Sequence, residues 1–547
     1  MAVNRSRYDF VVVGAGTAGC VMAARLSEDS AARVLLLEAG SAEPLELMAV
    51  PPAWPALMGT SADWADQTVD QEATGSAVPW PRGRALGGSS SINAMNFVRG
   101  FRASYDAWAL RGAKGWGFDD LLPFFMRSED TEGRDPALRG RGGPLRPAPA
   151  APGHPVAEAG LAAAAQAGYP IAADVNSGAE QGFGWSDLSI ADGRRQSAAD
   201  AYLSPVLGRP NLDVVTGALA HRVTITGGCC TGVEYSVGAE TFTAACQGEV
   251  VLAAGTVGTP QLLMLSGIGP RAHLRELGID VVSDLPGVGR NLHDHPMSGI
   301  VYQSARPVPQ GMNNHGEALG LVSTGIGGHG PDVQIMFVDV PLRADSLPGP
   351  DMGQGYAIAV SLMAPFSRGS LRLASPVPGA APVIDPRYYT DTRDLDMMVA
   401  GLWMAREIGR ADALASWRGP EALPGPGEVG DGRLRAYLGR NIRSYSHYAG
   451  TCALGTDAMA VVDTELRVHG IEGLRVADAS VMPSPISANT NATVYAIAER
   501  AAELIRSLPR YIGRQPDIDD RRIASSRRPG LVNHRTVPGH TAAQPDR

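Results

Sequence analysis

The stretch YDFVVVGAGTAG, Tyr8–Gly19, joins a strand-length apolar run to a glycine pattern, and an alanine-rich, helix-forming segment follows it. Gly14 permits a tight turn, Gly16 lets the backbone approach a pyrophosphate, and Gly19 lets the helix pack closely on the strand. A second apolar run then ends at Glu38, which is placed to accept ribose hydroxyls. The whole unit predicts an α/β fold that binds an ADP-containing cofactor, with its phosphates at the helix N-terminus.

The glycine pattern alone does not choose between NAD and FAD, and two segments further along the chain bear on that choice. Pro81–Gly100 (PRGRALGGSSSINAMNFVRG) can bring several backbone N–H groups close to a planar ligand, with Asn93 and Asn96 as fixed amides. Judged on composition alone, an ordinary surface loop is the alternative. Ala253–Pro270 follows an apolar run and predicts a tight turn and then a helix with Pro260 in its first turn.

These segments resemble the two signature motifs of the glucose–methanol–choline (GMC) oxidoreductases, flavoproteins that oxidise alcohols. The similarity is to choline-dehydrogenase-like members and to aryl-alcohol or hydroxymethylfurfural oxidase-like members. Ordered matches continue through GRRQSAADAYLSP at 193–205, PGVGRNLHDHP at 286–296, SHYAGTC at 446–452 and VADASVMP at 476–483. The resemblance implies FAD, a Rossmann-like FAD-binding domain and an interleaved substrate domain built on an antiparallel sheet.

The resemblance also assigns the chemistry to two positions. His447 matches the family's catalytic histidine, and Asn491, 44 residues further on, matches the second member of the pair, which is His in some relatives. Alcohol oxidation needs loss of the hydroxyl proton, which a neutral imidazole can take, and transfer of a hydride to flavin N5. Asn491 is expected to donate to the developing alkoxide and hold its oxygen.

Cofactor contacts are implied at positions that match the family's motifs in the glycine pattern, the flavin loop, the adenine-side strand and the C-terminal motif. These positions are Gly14, Gly16, Thr17, Ala18, Gly19, Glu38, Arg84, Gly88, Ser89, Asn93, Ala94, Met95, Asn96, Val223, Asp478 and Ala479.

Two departures from the family pattern refine the expectation. Some relatives carry a His that bonds covalently to the flavin where this chain has Ile92, so non-covalent FAD is expected. Several oxygen-using relatives carry a small apolar residue where this chain has Tyr445, two residues before the catalytic histidine. The bulkier ring favours a dehydrogenase that passes electrons to an acceptor other than oxygen. An oxygen-using oxidase, or a dehydrogenase that reoxidises a carrier such as reduced mycofactocin, remains the alternative.

The FAD-binding domain is expected to be discontinuous, with the substrate domain between its parts. The expected ranges are 5–155, 210–300 and 452–507 for the FAD-binding domain, 156–209 and 301–451 for the substrate domain, and 513–547 for a disordered tail. Alternation in 332–340 and 357–363 predicts antiparallel strands, and 393–409 predicts a helix. The Pro/Gly-rich run 419–432 predicts a surface loop.

Composition bounds the partners and the compartment. The 547 residues carry a net charge of −9, which speaks against nucleic acid as a partner. No run of ~18 uncharged apolar residues predicts a membrane span, and no apolar signal region precedes the first strand. A cytoplasmic protein is therefore expected, peripheral contact with the inner face of a membrane remaining open, and the source is expected to be bacterial. The expected partners are a small alcohol and an electron acceptor that is a quinone, a respiratory chain or oxygen.

The histidines of HDHP raise the question of a metal site. His293 and His295 flank Asp294, and alternate residues of a strand share one face. No further ligand set lies nearby in the sequence, so no metal is expected.

Overall fold

The computed structural model describes residues 7–178, 181–328 and 330–507, and the tail expected at 513–547 lies outside them. Nine α-helices lie within these ranges: Thr17–Leu26, Arg102–Leu110, Phe118–Ser128, Pro155–Gln166, Gly255–Leu265, Arg271–Glu276, Thr392–Arg410, Asp431–Arg440 and Asn491–Arg506. None of the helices in these ranges is long and apolar enough to cross a membrane.

The first sheet is mixed, and its parallel part is the Rossmann-like unit that the glycine pattern predicts. In spatial order its main strands are Leu212–Val215, Val34–Leu37, Arg7–Val13, Glu240–Leu252, Cys229–Val237 and Ala218–Thr226, and Leu474–Val476 also pairs with Glu240–Leu252. The first four and Leu474–Val476 pair in parallel, whereas the last three of the main order form antiparallel hairpins. Near-continuous Val and Leu in the central strands fit a sheet that is buried on both faces.

The second sheet is antiparallel. Its strands in spatial order are Arg418–Leu423, Pro296–Ser304, Gly355–Leu362, Val333–Val338, Ala318–Val322 and Gly182–Trp185, and Arg443–Ser444 also pairs with Pro296–Ser304. The two alternating segments therefore form neighbouring antiparallel strands, as predicted. The fold class is confirmed, and the helix expected at 393–409 spans Thr392–Arg410.

The loop expected at 419–432 is wrong in its first part. Arg418–Leu423 forms an edge strand that pairs with Pro296–Ser304, and Asp431 already begins a helix. Proline is tolerated on an edge strand because one side of the strand needs no ladder hydrogen bonds, so Pro420 does not break it. Composition alone therefore overestimated the length of the loop.

The start of strand Pro296–Ser304 positions the segment that carries His447. Strand Pro296–Ser304 begins directly after His295, and its first residue pairs with Ser444. Just outside these strands, the Tyr445 N–H donates to the His295 carbonyl at 3.0 Å, and His293 forms an isolated bridge with Ala449. The HDHP motif and the segment that carries His447 therefore lie side by side, although about 150 residues separate them in the sequence.

Candidate active site

The glycine pattern forms a cradle in which Gly14 and Gly19 leave no room for a side chain. A Cβ on Gly14 would lie 2.7 Å from the Ala253 carbonyl oxygen, and Gly14 has a φ of +96°. A Cβ on Gly19 would collide with the Gly14 carbonyl, so helix Thr17–Leu26 packs directly against the turn. Around Gly16, by contrast, a Cβ would meet nothing closer than 3.9 Å, and no side chain caps the helix there. Open space and uncapped N–H groups suit a pyrophosphate, so the cradle fits FAD.

Glu38 lies where the ribose contact is expected. It follows strand Val34–Leu37, is 6% exposed, and accepts the N–H groups of Ala15 and Gly40 at 2.8 Å each, one on each carboxylate oxygen. Each oxygen keeps a second acceptor site for a hydroxyl. Burial raises the pKa of Glu38, while the two N–H groups and Arg84 oppose the rise.

The flavin loop lies against the glycine cradle. Gly88 begins a short 3₁₀ turn, Gly88–Ser91, and a Cβ on it would lie 2.6 Å from the Gly16 Cα. The exposed Ser89 accepts the Gly83 N–H on its hydroxyl, and the exposed Arg84 stacks its guanidinium 4.9 Å from the Trp64 ring centroid.

The asparagines of the flavin loop hold the loop itself. Asn93 Oδ1 accepts from the Met95 N–H and from Arg195 Nη1, and Asn96 Oδ1 accepts from the Ser186 hydroxyl. The Ala94 carbonyl accepts from Asn314 at 2.7 Å. The two amide oxygens thus fix the loop, and Arg195 and Asn314 are supports that were not predicted from the sequence. The signal for Arg195 was present in the GRRQS motif.

The remaining expected cofactor positions lie on the first sheet and beside it. The Val223 N–H donates to Ser266 Oγ at 2.9 Å. Asp478 Oδ2 accepts from the Gly255 N–H and the Thr259 hydroxyl, and therefore ties the C-terminal motif to the second signature helix. The Ala479 carbonyl accepts the Gly450 N–H at 3.2 Å, close to the catalytic segment.

His447 is buried and held by its main chain. Its N–H donates to Asp294 Oδ1 at 2.8 Å, while Asp294 Oδ2 accepts from Ser444 and Tyr388. Burial raises the pKa of Asp294 to about 6 against these donors. Burial also lowers the pKa of His447 well below its usual value, and His295 adds to that effect. The imidazole is therefore neutral at neutral pH and has a lone pair to offer.

The contacts of the His447 ring indicate which nitrogen carries that lone pair. The two Nδ1 atoms of His295 and His447 lie 2.9 Å apart. Burial lowers the pKa of His295 to about 3, so this ring is neutral as well. Asn489 Nδ2, which can only donate, lies 3.1 Å from His447 Nε2, so Nε2 accepts. The proton of the neutral His447 ring then lies on Nδ1, where it is donated to His295.

Asn489 lies beside that nitrogen, with its Nδ2 3.1 Å from His447 Nε2. Asn491 begins the last helix, Asn491–Arg506, and its Oδ1 accepts from the Thr17 hydroxyl at 2.8 Å. The expected pairing of His447 with Asn491 about a substrate oxygen stays a prediction, because the contact between Asn489 and the imidazole does not test it.

The other side chains of HDHP go to separate partners. His293 Nδ1 lies 2.9 Å from the Asn291 carbonyl, Asp294 holds the catalytic segment, and His295 faces His447. Within the described ranges, no group of three His, Cys, Asp or Glu side chains could hold a metal ion. Ile92 is buried in a small apolar cluster with Met48, Leu57, Ala62 and Ala85.

Comparison with known proteins identifies a family along most of the chain. The model described as GMC oxidoreductase matches in two parts, an N-terminal part over residues 8–297 and a C-terminal part over residues 365–498. Human mitochondrial choline dehydrogenase is 39% identical over 543 residues, which covers 92% of this chain and 91% of that protein. An uncharacterised GMC-type oxidoreductase of Mycobacterium tuberculosis is 41% identical over 528 residues, 91% of this chain and 99% of that protein.

A solved structure has the same fold. Pyridoxine 4-oxidase from Mesorbium loti superimposes with a TM-score of 0.88 at 37% identity, and the match covers 91% of this chain and 98% of that one.

Proposed function

The chain belongs to the GMC oxidoreductases, FAD-dependent enzymes that oxidise alcohols, and on that premise we propose that it converts a neutral primary alcohol to an aldehyde. The observation that carries the proposal is the buried pair of His447 Nε2 and Asn489 Nδ2, 3.1 Å apart. Asn491, whose Oδ1 accepts from the Thr17 hydroxyl and whose NH₂ group can donate, is the other candidate for the donor to the alcohol oxygen.

The pair can remove a hydroxyl proton and hold the oxygen. His447 Nε2 takes the proton, and the positive charge that results is shared with His295, which accepts from Nδ1. Nε2 has one lone pair, so an alcohol hydroxyl that donates to it displaces the Asn489 N–H, which is then free to donate to the alkoxide oxygen. FAD supplies the hydride acceptor when it is bound. Burial excludes water from the histidine and keeps it unprotonated at neutral pH.

A neutral substrate fits the groups around the pair. The side-chain partners of His447, Asn489 and Gln334 are His295, Tyr445 and one another, and all are uncharged at neutral pH. The Tyr445 ring already packs on His447, with centroids 4.2 Å apart. A quaternary ammonium would lose hydration here, and no carboxylate bonds to these three side chains to compensate for it. We therefore infer that the substrate of this chain differs from choline, the substrate named for the human relative.

Tyr445 bears on the electron acceptor. Its hydroxyl donates to Gln334 at 2.8 Å, so the ring is fixed beside His447 rather than free to move aside. A fixed ring where several oxygen-using relatives carry a small residue supports an acceptor other than oxygen, such as a quinone. An oxygen-using alcohol oxidase is the second candidate, because pyridoxine 4-oxidase shares the fold at 37% identity.

The test follows flavin absorbance in the purified holoenzyme. Neutral aliphatic and aromatic primary alcohols and choline are added separately, without oxygen, and then air or a quinone is admitted. The proposal expects bleaching by a neutral alcohol, little bleaching by choline, and recovery with quinone but not with air. Rapid recovery in air with peroxide release would establish the oxidase. Flavin that no small alcohol bleaches would contradict the proposal and favour a carrier such as reduced mycofactocin as the donor.

A further inference from the structure

A tight hairpin carries two neighbouring arginines, and one of them is buried. Arg194 and Arg195 pair with Ile190–Ala191, and the hairpin turns at Asp192 and Gly193, which have positive φ values of +53° and +71°. Successive residues of a strand point to opposite faces. Arg194 is therefore exposed to solvent, whereas Arg195 is turned inward and is 5% exposed.

The buried guanidinium of Arg195 lies against the flavin loop. Its Nη1 donates to the carbonyls of Ser90 and Asn93, at 3.2 and 2.6 Å, and to Asn93 Oδ1 at 2.8 Å. Its Nε donates to the Met48 carbonyl at 2.7 Å. The remaining terminal nitrogen, Nη2, is buried and has no hydrogen-bond partner in the part of the chain that the structure describes.

Arg195 keeps its charge in this position without a bonded carboxylate. The four hydrogen bonds that it makes within the described ranges all go to oxygens of uncharged groups. Burial lowers the pKa of Arg195 to about 10, and the charge of Asp200 opposes that fall, so the side chain is protonated at neutral pH. A buried charge without a paired opposite charge destabilises a fold, and a bound group that carries negative charge can offset this cost.

Alcohol oxidation creates negative charge on the flavin. The C–H bond of the alcohol breaks and a bond from hydrogen to flavin N5 forms, while the hydroxyl proton goes to a base. Two electrons and one proton thus reach the ring, which gains one negative charge. A cation in a buried environment interacts more strongly with such a charge than it would in water. A fixed charge near the ring therefore shifts the equilibrium between oxidised and reduced flavin.

We propose that the buried guanidinium of Arg195, beside the flavin loop, stabilises the negative charge of reduced FAD and thereby raises the reduction potential of the bound flavin. Arg195 takes no part in proton or hydride transfer. The inference rests on FAD as the cofactor, and it is independent of which alcohol is oxidised.

Arg195→Met removes the charge and keeps an unbranched side chain. We expect the two-electron midpoint potential to fall by about 30 mV, which corresponds to a tenfold change in the ratio of the affinities for reduced and oxidised FAD. Anaerobic titration of the holoenzyme with dithionite and a reference dye measures this potential without any alcohol. Arg194→Met is the matched control, the same substitution at the exposed neighbour, and should keep the wild-type potential. A wild-type potential in Arg195→Met would overturn the proposal.

Two further variants separate the charge from the shape of the loop. Arg195→Lys keeps the charge and loses the planar fork, so its potential should lie nearer to wild type than that of Arg195→Met. Asp200 accepts from the N–H and the hydroxyl of Ser197, within its own turn. Asp200→Asn removes the negative charge that acts on Arg195 and leaves the contacts of Arg195 with the loop in place, so the potential should rise. Equal potentials in Arg195→Lys and Arg195→Met, or a potential at or below wild type in Asp200→Asn, would contradict a role of the charge.

The diphosphate of FAD is the other negative group with which Arg195 could pair. A partner of the diphosphate would strengthen the binding of oxidised and reduced FAD equally, and its loss would leave the potential unchanged. Titration of apoprotein with oxidised FAD, in wild type and Arg195→Met, distinguishes the two. Weaker binding with an unchanged potential would assign Arg195 to the diphosphate and overturn the proposal. Failure of the proposed function shows itself separately, as wild-type flavin that dithionite reduces and no alcohol does.

Discussion

At the scale of the residue, the site is prepared by burial and by the direction of hydrogen bonds rather than by a charged partner. Burial keeps both His295 and His447 neutral, and the Asn489 NH₂ group indicates that Nε2 of His447 is the basic nitrogen. Asp294 bonds to the main chain of His447 and not to its ring. The side chains therefore determine proton position without a fixed charge in contact with either ring.

Substitution of the two asparagines of the NTN triplet is expected to affect two different quantities, the rate of flavin reduction and the affinity for FAD. Asn489→Ala removes the donor to the alkoxide and should slow flavin reduction by about 10²-fold while FAD content stays at the wild-type level. Asn491→Ala removes the acceptor of the Thr17 hydroxyl, so it should weaken FAD binding severalfold and leave the rate of the FAD-saturated enzyme nearly unchanged. The measurements are the anaerobic reduction rate at saturating FAD and an FAD titration of the apoprotein. The reverse pattern would return the catalytic role to Asn491.

The family motif in the sequence selects Asn491, and the contact of Asn489 with His447 could not be predicted from it. Asn489 and Asn491 lie on either side of the point where the last helix begins, and the turn into the helix sends their side chains to different partners. The contact of Gln334 with Asn489 was equally unpredictable, because a single polar residue in an apolar strand carries no motif. That contact joins a strand of the second sheet to a segment 155 residues further along the chain.

At the scale of the element, the loop that carries His315 in the second sheet is hydrogen bonded to the 3₁₀ segment Pro51–Leu57. His315 has a φ of +68° and lies between strand Ala318–Val322 and the 3₁₀ segment Pro51–Leu57. Its Nδ1 lies 2.7 Å from Asp339 Oδ1, and its Nε2 lies 3.0 Å from the Pro52 carbonyl. A carboxylate and a carbonyl are both acceptors, so these two contacts favour a ring that is protonated on both nitrogens.

The His315 contact is expected to weaken as pH rises. Burial opposes the charged ring, but Asp339 and the Pro52 carbonyl outweigh it and raise the pKa of His315 above 6.5. Its stabilisation is therefore fully present below pH 6.5 and is lost as pH rises through the raised pKa. His315→Gln should lower the free energy of unfolding by about 1–2 kcal/mol at pH 6, and this deficit should shrink above the raised pKa.

Denaturant unfolding of both proteins across this pH range measures that deficit. Hydrogen exchange in Pro51–Leu57, corrected for the intrinsic pH dependence, follows the same loss of contact locally. A deficit that is constant from pH 6 to pH 9 would contradict a charged His315.

The elements themselves were largely predictable, and the exceptions have physical causes. Regular patterns gave the first βαβ unit and helix Thr392–Arg410. Strand Arg418–Leu423 was missed because its Pro and Gly content is typical of loops, and only its edge position makes it possible. The loop at His315 depends on contacts with Pro52 and Asp339 that are remote in sequence.

At the scale of the whole molecule, the first sheet supplies the cradle, and the segment that carries His447 lies at the start of strand Pro296–Ser304 of the second sheet. The glycines show how the cofactor and the fold are coupled. Gly14 is required by the fold itself, since a Cβ there would clash with Ala253, whereas the space at Gly16 is open in the folded chain.

Removal of FAD is therefore expected to lower Tm without unfolding the protein. A ligand at a hundredfold excess over its Kd stabilises by about 2.7 kcal/mol, so apoprotein should melt several degrees lower and recover with added FAD. Gly16→Ala should melt like wild-type apoprotein and respond weakly to FAD, while Gly14→Ala should be destabilised with or without FAD. Differential scanning calorimetry measures all three. Equal melting of apo and holo wild type would contradict the cradle.

The most direct test of the central claim is the anaerobic stopped-flow rate of flavin reduction by the best alcohol, in wild type and in His447→Ala, both saturated with FAD. Loss of a general base predicts a rate slower by about 10²–10⁴-fold with unchanged FAD content. His469→Ala, a histidine outside the site, serves as the control and should reduce at the wild-type rate. Reduction of His447→Ala within a fewfold of wild type would contradict the assignment of His447 as the base.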